Sequence, residues 1–205
     1  NAYGCTFANI TNEVGAAIYG GNADGCTFVN ISSGRSGGAI SGGNAQNSIF
    51  INCTAFWYGG AIHGCDSVIN CTFIGNYASR QGGAFFANDN LVCDNCTFIN
   101  NSADERASAF RANGHFKLNN SRFIENFGAG QVIFDLTEKA DITISYCLFM
   151  NNIGSSIDIT NPPAGKGVYS YINNCSFINN SQPVKWFNKV DYNGYISRIF
   201  VQDCN

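Results

Sequence analysis

Charge is scarce in this 205-residue chain. Asp, Glu, Lys and Arg make up 12% of it, and 11 basic against 14 acidic residues leave a net charge of −3. That balance provides no basic stripe for nucleic acid and no polybasic patch for an anionic membrane. Long apolar runs are missing too, and none approaches the ~18 residues of a membrane span, so no membrane insertion is expected in this segment. The opening Asn-Ala-Tyr-Gly has neither an initiator Met nor the pattern of an export signal, so the chain reads as mature, processed or cut from something longer. Proline occurs only three times and histidine twice. His63 and His115 fall on different repeats with no ligand or triad spacing, and no cofactor signature is present.

Glycine and phenylalanine are abundant, at 23 and 17 residues, and they recur in order. A Cys/Ser-x-Phe triplet returns with its Phe at 7, 28, 50, 73, 98, 123, 149 and 177. In the first four copies a small-small-Ala-Ile/Phe tetrad follows, at Gly15–Ile18, Gly37–Ile40, Gly59–Ile62 and Gly82–Phe85. Self-similarity at this period marks a solenoid whose units cannot bury an apolar face alone.

Within a unit, positions two apart share a strand face, so the Cys/Ser and the Phe both point inward. An apolar residue five before the Phe (Val68, Cys93, Leu118, Ile144, Ile172) breaks that alternation and implies a bend between two short strands, filled by polar Asn. Asn76, Asn101, Asn126, Asn152 and Asn180 each lie three after a Phe, where stacked amides can bond to one another. No helical period survives across units. The expected fold is all-β: a right-handed, single-stranded parallel β-helix of about eight to nine rungs over residues 1–180. Residues 181–205, with Trp186, Phe187, Tyr192, Tyr195 and Phe200, form a last irregular rung or a C-terminal cap. Pro162–Gly165 reads as a bulging loop.

Phe-x-x-Asn followed by Gly-Gly-Ala-Ile, clearest at Phe73–Asn76 and Gly82–Phe85, resembles the polymorphic outer-membrane protein repeats and the adhesin-like repeats of methanogenic archaea and some protist surface proteins. The first three copies depart from that pattern with Ile10, Ile31 and Cys53 in the Asn position. The resemblance covers about residues 1–160 and implies a β-helix on a cell surface, acting as an adhesin.

Ten cysteines and nine Asn-x-Ser/Thr sequons also point outside the cell. The sequons start at Asn9, Asn30, Asn52, Asn70, Asn95, Asn100, Asn119, Asn174 and Asn179; they mark glycosylation sites or are by-products of a repeated Asn-Cys-Thr turn. Cys5, Cys26, Cys71, Cys96, Cys147 and Cys175 occupy the inward position, so three neighbouring-rung disulfides (Cys5–Cys26, Cys71–Cys96, Cys147–Cys175) or a ladder of free thiols would fit. Cys53, Cys65, Cys93 and Cys204 have no evident register. Trp57 and Tyr58 replace polar residues before a Gly-Gly pair, either as a sugar-stacking platform or as loop packing, and Arg35, Arg80 and Arg106 recur nearby.

Carboxylates are scattered, and Asp135, Glu138, Asp141 and Asp158 are the only cluster that could serve Ca²⁺ or catalysis. The expected function is therefore non-enzymatic: an extracellular structural or adhesive rod that displays loops and glycans. Its partners would be cell-surface glycans or proteins, or copies of itself in a fibre. The alternatives are a carbohydrate-active lyase or hydrolase, and an end-to-end assembling surface-fibre subunit.

Overall fold

The computed structural model describes residues 1–13, 17–112, 114–128, 130–134, 142–159, 169–186 and 198–205. All regular structure among them is β-strand, and every strand pairing is parallel. Three sheets of 15, 8 and 6 strands wrap the core. The 8-stranded wall is Thr6–Ala8, Thr27–Val29, Ile49–Ile51, Thr72–Ile74, Thr97–Ile99, Arg122–Ile124, Leu148–Met150 and Ser176–Ile178. The 6-stranded wall runs from Thr11–Asn12 through Ser32–Ser33, Thr54–Ala55, Tyr77–Ala78 and Ser102–Ala103 to Phe127–Gly128. The 15-stranded wall carries the tetrads and the residues before each triplet, and two rungs merge these into the long strands Ile62–Ile69 and Phe85–Asp94. The expectation of eight to nine rungs is thus revised to about six turns with all three walls, one wall continuing to eight strands. The tetrad signal fades after Phe110, and the third wall fades with it.

The eight repeat phenylalanines pair in register from Phe7 to Phe177. Phe73, Phe98 and Phe123 lie one on another, with ring centroids 5.1 and 4.6 Å apart and planes within 3°. Six of the column are fully buried, from Phe28 to Phe149. Each such burial removes about 2–3 kcal/mol worth of apolar surface from water, and the offset stacking adds roughly 0.5–1.5 kcal/mol per pair. Phe85 and Phe110 form a second stack, centroids 4.7 Å apart, tilted against the first.

Beside the Phe column runs a buried amide ladder. Asn76 Nδ2 donates to Asn101 Oδ1 at 2.9 Å and to the Phe50 carbonyl at 3.1 Å, while Asn101 Oδ1 also accepts from the Asn76 backbone N–H at 3.0 Å. Asn101, Asn126 and Asn152 repeat the arrangement down to Asn180. Both amide protons and both acceptor sites of Asn101, Asn126 and Asn152 are used, which is what burial of an Asn requires. The ladder starts at Cys53, whose N–H donates to Asn76 Oδ1 at 2.9 Å. Cys53 therefore has a register after all: it stands with Ile31 in the column that becomes asparagine at Asn76.

The two glycines of the tetrads at 37–40, 59–62 and 82–85 have different physical grounds. Gly82 sits at φ +72°, whereas a Cβ on Gly83 would lie 2.2 Å from the Ser108 carbonyl oxygen and 2.4 Å from that of Ser102. The first glycine permits a left-handed corner and the second permits close approach of neighbouring rungs.

Residues Gln182–Trp186 and Arg198–Gln202 pair in parallel with Ser155–Ile159 and Tyr169–Asn173, so the described part of the C-terminal segment continues the stack. Phe200 stacks on Tyr171 at 5.2 Å. Phe187, Tyr192, Tyr195 and the Pro162–Gly165 loop lie outside the described residues.

Asn101→Ala leaves several buried groups without partners (the Phe73 carbonyl, the Asn76 N–H and Asn76 Nδ2 among them), each costing about 1–3 kcal/mol. Urea unfolding should show a loss of about 3 kcal/mol or more for this variant. Asn100→Gly, at the adjoining exposed corner, should shift stability by less than about 0.5 kcal/mol.

Candidate functional site

Corners are the natural place for function, since strand interiors are committed to stacking. After the short strand Thr54–Ala55 the chain turns through Phe56, Trp57 and Tyr58. Phe56 is 60% exposed and Trp57 39% exposed; Tyr58 is half-buried. Backbone hydrogen bonds fix the turn to its neighbours: Phe56 N–H donates to the Ser33 carbonyl, Trp57 N–H to that of Arg35, and Arg80 N–H to that of Trp57. The indole therefore belongs to a column Arg35–Trp57–Arg80–Glu105. Arg106, expected beside Arg35 and Arg80, belongs one residue further round, in the column Tyr58–Gln81–Arg106. The extra acidic residue in Asp104-Glu105 displaces it, and Glu105 takes the position facing Arg80, 3.9 Å away. That exposed pair contributes little stability.

Tyr58 does not stand out alone. Its ring lies 5.1 Å from Phe86 and 6.3 Å from His63, and the Arg111 guanidinium covers Phe86 at 5.1 Å. The two residues that sequence places together are thus separated in role: Trp57 faces outward, and Tyr58 is half-absorbed into an aromatic cluster on the adjoining wall. Sequence reasoning missed Phe56. It borders a surface groove of about 540 Å³ along the six-stranded wall, lined by the outward side chains Thr11, Ser32, Thr54, Tyr77 and Ser79. Thr54 and Ser32 hydroxyls bond to each other at 3.0 Å, and Tyr77 donates to Asp104 at 2.5 Å. The available signal was that Thr11, Ser32, Thr54 and Ser102 all lie four residues after the Phe.

The sequon asparagines occupy two further corners, one before and one after the Phe wall. Eight of the nine adopt positive φ between 51° and 55°; Asn119 is the exception, ending the strand Phe116–Asn119. In both corners the αL residue is followed by an inward residue and then by the Ser or Thr that opens the next strand, as in Asn70-Cys71-Thr72 and Asn52-Cys53-Thr54. Asparagine tolerates αL better than other non-glycine residues, and a β-branched Thr suits a strand start. The corner thus writes Asn-x-Thr into the sequence for conformational reasons. Gly25 and Gly75 stand at equivalent corners.

The ten cysteines are unbonded. Those of the inward column each donate to the carbonyl two residues back: Cys71 to Ile69 at 3.2 Å, Cys96 to Asp94 at 3.3 Å and Cys175 to Asn173 at 3.2 Å. Ser48 and Ser121 make the same bond at 2.7 Å, which explains their exchange with cysteine. Cys204 extends this column, accepting from the Cys175 N–H at 3.4 Å. Its register was hidden because no Phe follows it in the chain. Burial pushes the Cys53 and Cys71 thiols up to about 12, while the hydrogen bond from Cys147, opposed by burial, lowers that of Cys175.

Asp135, Glu138 and Asp141 lie outside the described residues, and of Asp158 only the backbone pairings with Phe134 and Lys185 are described. Among the described residues no three His, Cys, Asp or Glu side chains converge as a metal site.

Two outcomes follow. Iodoacetamide should modify ten thiols in denatured, unreduced protein but only the exposed Cys5 and half-exposed Cys204 in the native state, read by intact mass. Burial lowers the pKa of His63, so the unfolded state binds its proton more readily. The His63 contribution is complete above the ordinary histidine pKa and is lost as pH falls below it. Thermal unfolding between pH 7.5 and 5 should show this slope, and His63→Gln should reduce it.

No family model, no curated protein and no solved structure matches this chain. What stands without them is a parallel β-solenoid with an aromatic corner and two outer columns of asparagine.

Proposed function

We propose that this chain is an extracellular adhesive rod of the polymorphic outer-membrane, adhesin-like repeat class, without catalytic activity of its own, contacting neutral glycans of a cell surface through the Phe56–Trp57–Tyr58 corner. The observation that carries this reading is the exposure of two large aromatic rings, Phe56 and Trp57, the first of which lines a largely apolar groove that also carries hydroxyl side chains. A neutral sugar presents an apolar ring face and a rim of hydroxyl groups. Rings supply the surface for the former and Thr11, Ser32, Thr54 and Ser79 supply partners for the latter. The groove's chief charged lining group is Glu13, which suits a neutral ligand better than an acidic one. Repetition supports the structural half of the reading: a solenoid of stacked rungs holds a contact corner at a fixed height along the stack, and its eight-stranded wall spans roughly 35 Å at ~4.8 Å per step. Glycan display from the sequon corners belongs to the same reading.

Trp57→Ala and Phe56→Ala should each weaken retention on immobilised neutral oligosaccharides at least tenfold, about 1.4 kcal/mol, while leaving the melting temperature unchanged because neither ring is in the core. Unaltered retention in both variants would remove this corner as the contact surface.

A further inference from the structure

The spacing of the sequon columns limits which asparagines can carry sugar together. In the column after the Phe wall, Asn30 Nδ2 donates to Asn9 Oδ1 at 3.0 Å and Asn52 Nδ2 to Asn30 Oδ1 at 3.4 Å. In the column before it, Asn70 Nδ2 donates to Asn47 Oδ1 at 2.8 Å and Asn95 Nδ2 to Asn70 Oδ1 at 3.1 Å. All of these side chains are exposed, and each ladder bond uses one of the two Nδ2 protons. The second proton is the one that N-glycosylation replaces. In that step Nδ2 bonds to the anomeric carbon of an oligosaccharide supplied on a lipid pyrophosphate, the carbon–oxygen bond to the pyrophosphate breaks with its electron pair, and the Nδ2 proton is lost.

Successive rungs stand 4.6–5.1 Å apart, as the stacked rings record. An N-linked oligosaccharide branches within a few sugars of the asparagine and is then much wider than that step, so two of them leaving one column from adjacent rungs in the same direction would compete for the same volume. Asn119 stands outside the αL columns, and the other three sequons have no sequon neighbour in their column. Asn100 lies between Gly75 and Glu125, Asn174 between Tyr146 and Asp203, and Asn179 follows Asn151, which opens no sequon.

We infer that within one corner column this solenoid accepts N-linked glycans at non-adjacent rungs only: freely at Asn100, Asn174 and Asn179, but on one member at most of each neighbouring pair Asn9/Asn30, Asn30/Asn52 and Asn70/Asn95. The inference rests on the extracellular reading above and adds to it a rule set by geometry. Asparagines at the two ends of one strand, such as Asn95 and Asn100 flanking Thr97–Ile99, belong to different columns and do not exclude each other.

The arginines of the chain make the test direct. Trypsin releases residues 1–35, which hold Asn9 and Asn30 of one column; residues 36–80, which hold Asn52 and Asn70 of different columns; and residues 81–106, which hold Asn95 and Asn100 of different columns. The full chain, secreted from a eukaryotic cell line behind an appended export signal and recovered folded, is digested and its glycopeptides weighed. Peptide 1–35 should carry no sugar or one, while peptides 36–80 and 81–106 should include doubly glycosylated forms. A doubly glycosylated peptide 1–35 would overturn the spacing rule yet leave glycan display intact. Absence of sugar from peptide 81–106 would overturn both the rule and the display on which it rests.

Discussion

A primary amide taken out of water needs partners for two donors and two acceptor sites, and in this chain the buried asparagines find them in their own copies on one adjoining rung and in a Phe carbonyl on the other. Asn76, Asn101, Asn126, Asn152 and Asn180 can satisfy one another only if every rung has the same corner at the same height. The ladder therefore fixes register. A slip of one residue would bury polar groups without partners, at a cost of several kcal/mol per rung. The Phe column alone could not impose this, because stacked rings tolerate sliding.

Where the ladder ends, the structure changes character. From Cys53 toward the N-terminus the column is Ile31 and the half-buried Ile10, so apolar contact replaces hydrogen bonding. At that transition the chain also leaves two neighbouring rings, Phe56 and Trp57, in solvent. The corner that follows Cys53 is held by backbone bonds to rungs on both sides, which leaves its side chains unneeded for packing. A rigid corner with spare side chains is well suited to binding, since little ordering entropy remains to be lost.

Much of this was legible from residues. The Phe and Cys/Ser positions recur so regularly that the stack followed from strand alternation, and a bend between Val68 and Cys71 followed from the broken alternation, although its αL conformation did not. Other features were not legible, for identifiable reasons. Cys53 and Cys204 belong to columns whose other members are different residue types or lie beyond a missing Phe, so no spacing marked them. Arg106 looked equivalent to Arg35 and Arg80 until Glu105 was seen to take the place beside Arg80. Trp57 and Tyr58 are neighbours in sequence, yet Tyr58 packs toward Phe86 and His63 on the next wall, because a corner sends consecutive residues to different faces.

The sequons show the division most plainly. Sequence by itself determined that Asn-x-Ser/Thr recurs, that the chain is a parallel β-solenoid, and which side chains face inward, because these depend on local periodicity and on the conformational preferences of Asn, Gly and Thr. Only the tertiary structure decided that eight of those asparagines stand in two vertical columns, which of them are neighbours, and which aromatic rings remain in solvent. Those properties depend on the distance between rungs, and residues some 21 to 31 positions apart in the chain acquire a distance only when the coil closes upon itself.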